Sequence, residues 1–200
     1  TGASSGIGLA TAHCLIDQGW RVLAAARRVE AMEPLRSRGA EVFPLDLVDP
    51  TSREALAHTI SQRFGALDAL VNNAGVAVFK TLGTTSFEEW RYVMATNLDG
   101  AFLCSQACVP VMLKNGGGSI VAMSSIAATA THRYMTAYNV SKAGLEMLVR
   151  QVADELGSMG IRANAVRPSL VPTDISAGLT GVPDIVEDYL EQMPLHRLGT

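Results

Sequence analysis

Ser119-Ile120-Val121-Ala122-Met123 comes before a long segment that opens Tyr138-Asn139-Val140-Ser141-Lys142, and Ile161-Arg162-Ala163-Asn164-Ala165-Val166 follows it. The outer two stretches are apolar runs of strand length. The segment between them, 138–159, carries Leu145, Leu148, Val149, Val152 and Leu156 at the i, i+3, i+4, i+7, i+11 spacing of one buried helical face. Strand, helix, strand in this order implies a right-handed crossover and a parallel sheet. The same alternation runs upstream, with strands predicted at 20–25, 41–45 and 67–71 and helices at 6–18, 51–64 and 86–113. These strands are nearly continuous apolar runs, as expected where helices cover both faces of a sheet. A doubly wound parallel α/β fold is therefore predicted. Asp49 before Pro50, and Ser86 three residues before Glu89, are predicted helix caps.

Composition narrows the functional classes. The 200 residues are 48% hydrophobic and 18% charged, which suits one globular core rather than a disordered tail. No run of eighteen apolar residues is present, so no spanning helix and no membrane role is expected. The chain does not open on a secretory pattern. A net charge of −3 argues against nucleic acid as a partner. Cys14, Cys104 and Cys108 are too few for a disulfide framework and lack zinc spacing. They are expected to be buried helix thiols in a reduced, soluble, cytoplasmic domain, with no metal.

No repeat or linker divides residues 1–200, which read as a single domain. Residues 169–197 differ from the rest, with Pro172, Gly178, Gly181, Pro183 and Pro194 around a partly helical acidic stretch at 184–192. Such an excursion is expected to cover a binding site. No strand precedes the opening glycine turn and none follows Thr200, so the chain reads as clipped at both ends.

Two features carry chemistry. Thr1-Gly2-Ala3-Ser4-Ser5-Gly6-Ile7-Gly8 runs straight into a helical pattern, and a glycine turn at a helix N-terminus offers free N–H groups to a pyrophosphate. Tyr138 and Lys142, four apart, project from one helical face. A tyrosine titrates near ~10, and bringing it to ~7 takes roughly 4 kcal/mol of differential stabilisation. A neighbouring ammonium has the right sign to supply it.

Taken together with three further motifs, these features resemble the classical branch of the short-chain dehydrogenase/reductase family. Asn72-Asn73-Ala74-Gly75 ends a predicted strand, Asn97 stands in a Thr-Asn-Leu-x-Gly context, and Ser125 precedes Tyr138 by 13 residues. The resemblance runs the length of the chain and implies a Rossmann-like, three-layer α/β/α domain binding NAD(P). It implies catalysis by Asn97, Ser125, Tyr138 and Lys142, with Tyr138 as acid or base and Lys142 lowering its pKa. Ser125 would hold the substrate oxygen, and Asn97 a proton-relaying water. Gly2, Ser4, Ser5, Gly6, Ile7 and Gly8 would hold the pyrophosphate side of the cofactor. Asp46 and Leu47 would lie near adenine. Asn73, Ala74, Gly75, Pro168 and Thr173 would complete the site with Tyr138 and Lys142.

Family members that use NAD carry an acid at the end of the second family strand, where this chain has Ala24-Ala25-Ala26-Arg27-Arg28. With no acid there and Arg27 able to pair with a 2′-phosphate, NADP is the expected cofactor and NAD the less favoured one. The expected function is transfer of a hydride between nicotinamide and a small-molecule ketone or secondary alcohol. A 3-oxoacyl-carrier-protein reductase is the nearest alternative, although Val76-Ala77-Val78-Phe79 departs from that subgroup and no basic patch is evident. A non-catalytic NADP-binding sensor or scaffold is the other. The resemblance further implies a homo-tetramer or homo-dimer using helices 86–113 and 138–159. Pocket candidates are residues 126–134, including His132, together with the 169–197 excursion.

Two departures from the family stand out. Ser169 replaces a glycine after Pro168, and the family's central first strand and its last strand are not in the sequence. Two neighbouring strand edges are therefore expected to be open.

Overall fold

The computed structural model describes residues 1–199; Thr200, the end of the expected domain, lies outside the described residues. Five strands form: β1 (Leu23–Ala26), β2 (Glu41–Pro44), β3 (Ala69–Asn72), β4 (Gly118–Met123) and β5 (Ile161–Val166). All pair in parallel, in two sheets of order β1-β2 and β3-β4-β5. Leu23 stands opposite Glu41, Ala69 opposite Ser119, and Gly118 opposite Ile161. The expected α/β fold is present.

The two sheets meet through the first three residues. The amino group of Thr1 donates to the Val71 carbonyl at 2.8 Å, and Ala3 N–H to the Ala25 carbonyl at 3.4 Å. Elsewhere the edges of β1 and β3 face a cavity of about 440 Å³ lined by Ala24, Ala25, Leu70, Val71, Cys104 and Cys108. Those are the two open edges expected from the sequence.

Helices follow the predicted frame with instructive differences. α1 (Gly6–Asp17) ends in a turn in which Trp20 N–H bonds the Leu15 carbonyl at 3.0 Å. Trp20, expected in the first strand, is therefore half-exposed turn. A short 3₁₀ turn (Glu30–Met32) and α2 (Glu33–Arg36) follow β1 and bury Met32 and Leu35 completely. Each side chain contributes about 1.5–3 kcal/mol by burial, yet four residues are too few for a helical period to show. α3 (Pro50–Arg63) starts as predicted, with the Asp49 carboxylate accepting from Thr51 N–H at 2.9 Å.

The predicted helix at 86–113 is broken. α4 (Phe87–Met94) opens on the full Ser86–Glu89 capping box, passes into a widened π turn at Ala95–Asp99, and resumes as α5 (Gly100–Lys114). Inserted turns of this kind are frequent at functional sites.

α6 (Thr136–Leu156) continues into a 3₁₀ turn at Gly157–Met159. Its predicted stripe packs as expected: Leu145 and Val149 are buried, and Leu148, Val152 and Leu156 lie against the same core with Met112, Ile120 and Ile161. The excursion folds into α7 (Ala177–Thr180) and α8 (Pro183–Gln192).

The cysteine expectation needs one correction. Cys108 is buried and Cys104 half-buried, but Cys14 is exposed on the outer side of α1. Among the described residues no group of side chains has metal-binding geometry, and no helix is long and apolar enough to cross a membrane.

Candidate active site

The glycine turn is packed too tightly for side chains. Gly2 has φ +66°, and a Cβ on it would lie 2.7 Å from Ala74 Cα; a Cβ on Gly8 would lie 2.2 Å from the Gly2 carbonyl. Asn73 holds this close approach, its amide donating to the carbonyls of Thr1 and Gly2 at 3.2 Å each. The Thr1 hydroxyl accepts in return from Asn73 and Ala74 N–H, both at 3.2 Å. The first intrahelical bond of α1 runs from Leu9 N–H to the Ser5 carbonyl, and the Ser5 side chain caps nothing. The N–H groups of Gly6, Ile7 and Gly8 therefore have no helical acceptor.

These residues line one end of a cleft of about 650 Å³ that runs over the strand ends. Ala26 closes β1, and Arg27 and Arg28 stand exposed on the rim. Arg28 donates to Ser5 Oγ at 3.0 Å and lies 3.5 Å from the Asp174 carboxylate of the excursion. Asp46 and buried Leu47 follow β2, with Asp46 Oδ1 accepting from Val48 N–H at 3.1 Å. Thr173 reaches the turn from the excursion, its methyl 3.2 Å from where a Gly6 Cβ would stand.

At the other end the cleft meets α6. Lys142 is 3% exposed, and its ammonium donates to the Met123 carbonyl at 2.7 Å, at the end of β4. Burial lowers its pKa to about 8. Tyr138, one turn earlier, has its ring centre 5.5 Å from that ammonium. Burial raises the phenol above its ordinary value, the neighbouring Ser125 hydroxyl pulls it the other way, and Tyr189 adds to the rise. The expected lowering of the Tyr138 pKa by Lys142 is thus not realised by the residues alone. The physical reason is desolvation, the first cause of the shift in both groups.

Ser125 faces the same cleft from the end of β4. Its Oγ accepts from Ala127 N–H at 3.2 Å, leaving its own O–H to donate elsewhere.

Asn97 takes a different place. It is 1% exposed in the π turn and is not part of the cleft lining. Its Oδ1 accepts from Val76 N–H at 2.8 Å, and its amide donates to the Val76 carbonyl and Ser141 Oγ at 2.9 and 3.0 Å. It shares one neighbour with Lys142: a Cβ on Gly75 would stand 3.4 Å from Asn97 Oδ1 and 3.5 Å from Lys142 Nζ. Through Val76, Asn97 therefore braces the wall behind Gly75.

All the other expected catalytic and cofactor residues line the cleft, including Ser4, Ala74 and Pro168, whereas of the pocket candidates at 126–134 only Ile126, Ala127 and His132 do. Ser169 does so without strain, since among the described non-glycine residues only Tyr134 and His196 have positive φ. Arg28, not singled out beforehand, and Tyr189, within the excursion expected to line the pocket, also face the cleft. Arg28 stands next to Arg27, and only the fold shows which of the pair reaches Ser5. The Tyr189 hydroxyl lies 3.0 Å from His132 Nδ1 with the rings stacked, joining the excursion to the loop before α6. The other ring nitrogen of His132 is buried without a partner, and burial lowers the imidazole pKa.

The geometry matches a known family. The family model described as Enoyl-(Acyl carrier protein) reductase matches residues 2–200. A 3-oxoacyl-acyl-carrier-protein reductase of Staphylococcus aureus is 34% identical over 206 aligned residues, covering 100% of this chain and 83% of that protein. The crystal structure of a gluconate 5-dehydrogenase from Burkholderia cenocepacia, in complex with NADP and tartrate, superposes with a TM-score of 0.94 at 26% identity. It covers 100% of this chain and 80% of its own. A 7α-hydroxysteroid dehydrogenase complexed with NADH and 7-oxo glycochenodeoxycholic acid gives a TM-score of 0.91 at 32% identity, with the same coverage. From its glycine turn to its Tyr-x3-Lys helix, this chain belongs to the short-chain dehydrogenase/reductase family.

Proposed function

We propose that the protein is an NADP-dependent oxidoreductase that interconverts a ketone and a secondary alcohol, with Tyr138 as the acid/base. The supporting observation is that one cleft gathers Tyr138, Lys142 and Ser125 at one end, with unpaired helix N–H groups and two arginines at the other. That donor set fits a dinucleotide carrying an extra phosphate. The N–H groups of Gly6, Ile7 and Gly8 suit the pyrophosphate, Arg27 and Arg28 the 2′-phosphate, and Asp46 and Leu47 the adenine side. The two solved relatives divide between NADP and NADH, so the choice rests on this chain's own residues: buried Ala26 where an acid would serve NAD, and two rim arginines.

The bound nicotinamide supplies hydride transfer. This chain's residues manage the proton and the oxygen. In reduction, the Tyr138 hydroxyl gives its proton to the carbonyl oxygen as the C–H bond forms; in oxidation the phenolate takes the proton from the alcohol. Ser125 donates to the same oxygen and stabilises the charge developing there. The Lys142 ammonium favours the phenolate that remains, and Asn97 fixes the wall beside that ammonium. A scaffold that only bound cofactor would have no use for this convergence.

A second reading, a reductase of 3-oxoacyl groups on a carrier protein, draws support from the Staphylococcus aureus relative. The relatives' names point to three different substrates, so kinship does not choose among them. An assembly of two or four copies accords with exposed Phe102 on α5 and Val140 and Met147 on α6. A cytoplasmic setting accords with the three unpaired cysteines.

The test is NADPH oxidation with ethyl acetoacetate, acetoacetyl thioester, 5-ketogluconate and cyclohexanone. Turnover with at least one ketone, abolished in Tyr138→Phe while NADPH binding persists, is the expected result. Turnover surviving in that variant would overturn the assignment of Tyr138. Preference for the thioester over the free ketones would favour the carrier-protein reading.

A further inference from the structure

Glu146 is a carboxylate on the core-facing side of α6, one turn beyond Lys142 and two beyond Tyr138, and only 5% exposed. A buried carboxylate is tolerated only when paired. Here it accepts from Ser124 Oγ at 2.8 Å and from the Arg167 guanidinium through both Nε and Nη2; Arg150 lies 3.6 Å away on the outer side.

The partners' positions give this trio its interest. Ser124 stands between Met123, whose carbonyl holds the Lys142 ammonium, and Ser125. Arg167 stands between Val166, whose carbonyl accepts from Ser124 N–H at 2.8 Å, and Pro168, whose carbonyl accepts from Ile126 N–H at 3.2 Å. One carboxylate thus ties α6 to the ends of both β4 and β5, a single residue away from groups that line the cleft. Lys142 on Met123 and Glu146 on Ser124 form two successive rungs between helix and strand. Stability alone does not call for this arrangement, because the Arg167 side chain is 44% exposed and an ion pair open to water on one side adds little.

We propose that Glu146 is a positioning residue: clamped between Ser124 and Arg167, it sets how α6 seats on β4, and so the placing of Tyr138 and Lys142 against Ser125. The proposal rests on the acid/base reading of Tyr138 given above. It predicts an effect on kcat out of proportion to any effect on folding or cofactor affinity, since displacing a reacting group by about 1 Å costs on the order of a hundredfold in rate.

The experiment compares the unmodified protein with Ser124→Ala, Glu146→Gln and the double variant Glu146→Met with Arg167→Met. Thermal unfolding, NADPH fluorescence titration and steady-state reduction of the ketone turned over fastest are measured for each. The double variant removes the charges together, so it is expected to fold and to bind NADPH within about twofold of the unmodified protein, yet to lose kcat by roughly tenfold or more. Glu146→Gln keeps an acceptor for Ser124 and is expected to retain more kcat than the double variant. A folded double variant with unchanged kcat would overturn the proposal and leave the assignment of Tyr138 standing. Losses of kcat that merely track unfolding across the series would also overturn it. No turnover of any ketone by the unmodified protein would remove the underlying reading, and this proposal with it.

Discussion

Lys142 shows how much of the chemistry is set by a single side chain's surroundings. Buried against the Met123 carbonyl, it titrates at about 8, whereas Tyr138 is pushed above its ordinary value. In reduction the phenol must be protonated, and it stays so well past the lysine's titration. The ammonium is present below about pH 8 and lost above it. The pH profile of kcat/KM, which reports free-enzyme groups, should therefore fall as pH rises through about 8; a profile flat into the phenol range would contradict this. The arginines give a second test at the same scale. Arg27→Ala combined with Arg28→Ala should weaken NADPH binding by roughly ten- to hundredfold, from the loss of charge-assisted hydrogen bonds, and leave NADH affinity nearly unchanged. Equal losses for both cofactors would remove the basis for preferring NADP. Tyr138, Lys142 and Ser125 could be singled out through the family resemblance, which needs only their spacing and order along the chain, and the cleft brings all three together. The phenol's upward shift was not legible, since burial depends on what the rest of the chain packs around it.

Elements were legible where a period or a cap marked them, and not where a local side chain overrode the pattern. Ser86 and Glu89 announced the start of α4 and form the capping box. Ser86→Ala should lower stability by about 1 kcal/mol, seen as a reduced Tm with kcat preserved. The same segment's apolar pattern gave no sign of the π turn, within which Asn97 bonds to Val76 and Ser141, distant in sequence. Glu146 was equally silent: a lone acid in a helical stripe looks like solvated surface until Ser124 and Arg167 are seen beside it. Its pKa is lowered from the ordinary 4.5, chiefly by Arg167. A carboxylate depressed in the folded state adds stability above its unfolded pKa and loses it as pH falls through the folded value. Glu146→Gln should accordingly flatten the acid-side loss of Tm below about pH 4.5; an unchanged acid limb would show that the clamp contributes nothing there.

At the scale of the whole molecule, alternating strands and helices were enough to give a parallel α/β fold, and the fold delivers the site. Helix N-terminus, strand ends and excursion converge on one cleft because parallel strands all end on the same side. The excursion could be recognised from its prolines and glycines, but its contact with the rest, Tyr189 on His132, could not. The exposed apolar side chains on α5 and α6 belong to this scale as well. Light scattering should give an assembly of two or four copies, and Met147→Glu should shift it toward the monomer; a monomeric unmodified protein would contradict that expectation.

The proposed function depends above all on the cleft taking a phosphorylated dinucleotide between Arg27 and Tyr138. Its most direct test is a fluorescence titration of the purified protein with NADPH and, separately, NADH. Both are expected to bind, with NADPH distinctly tighter. Tighter binding of NADH, or binding of neither, would contradict it.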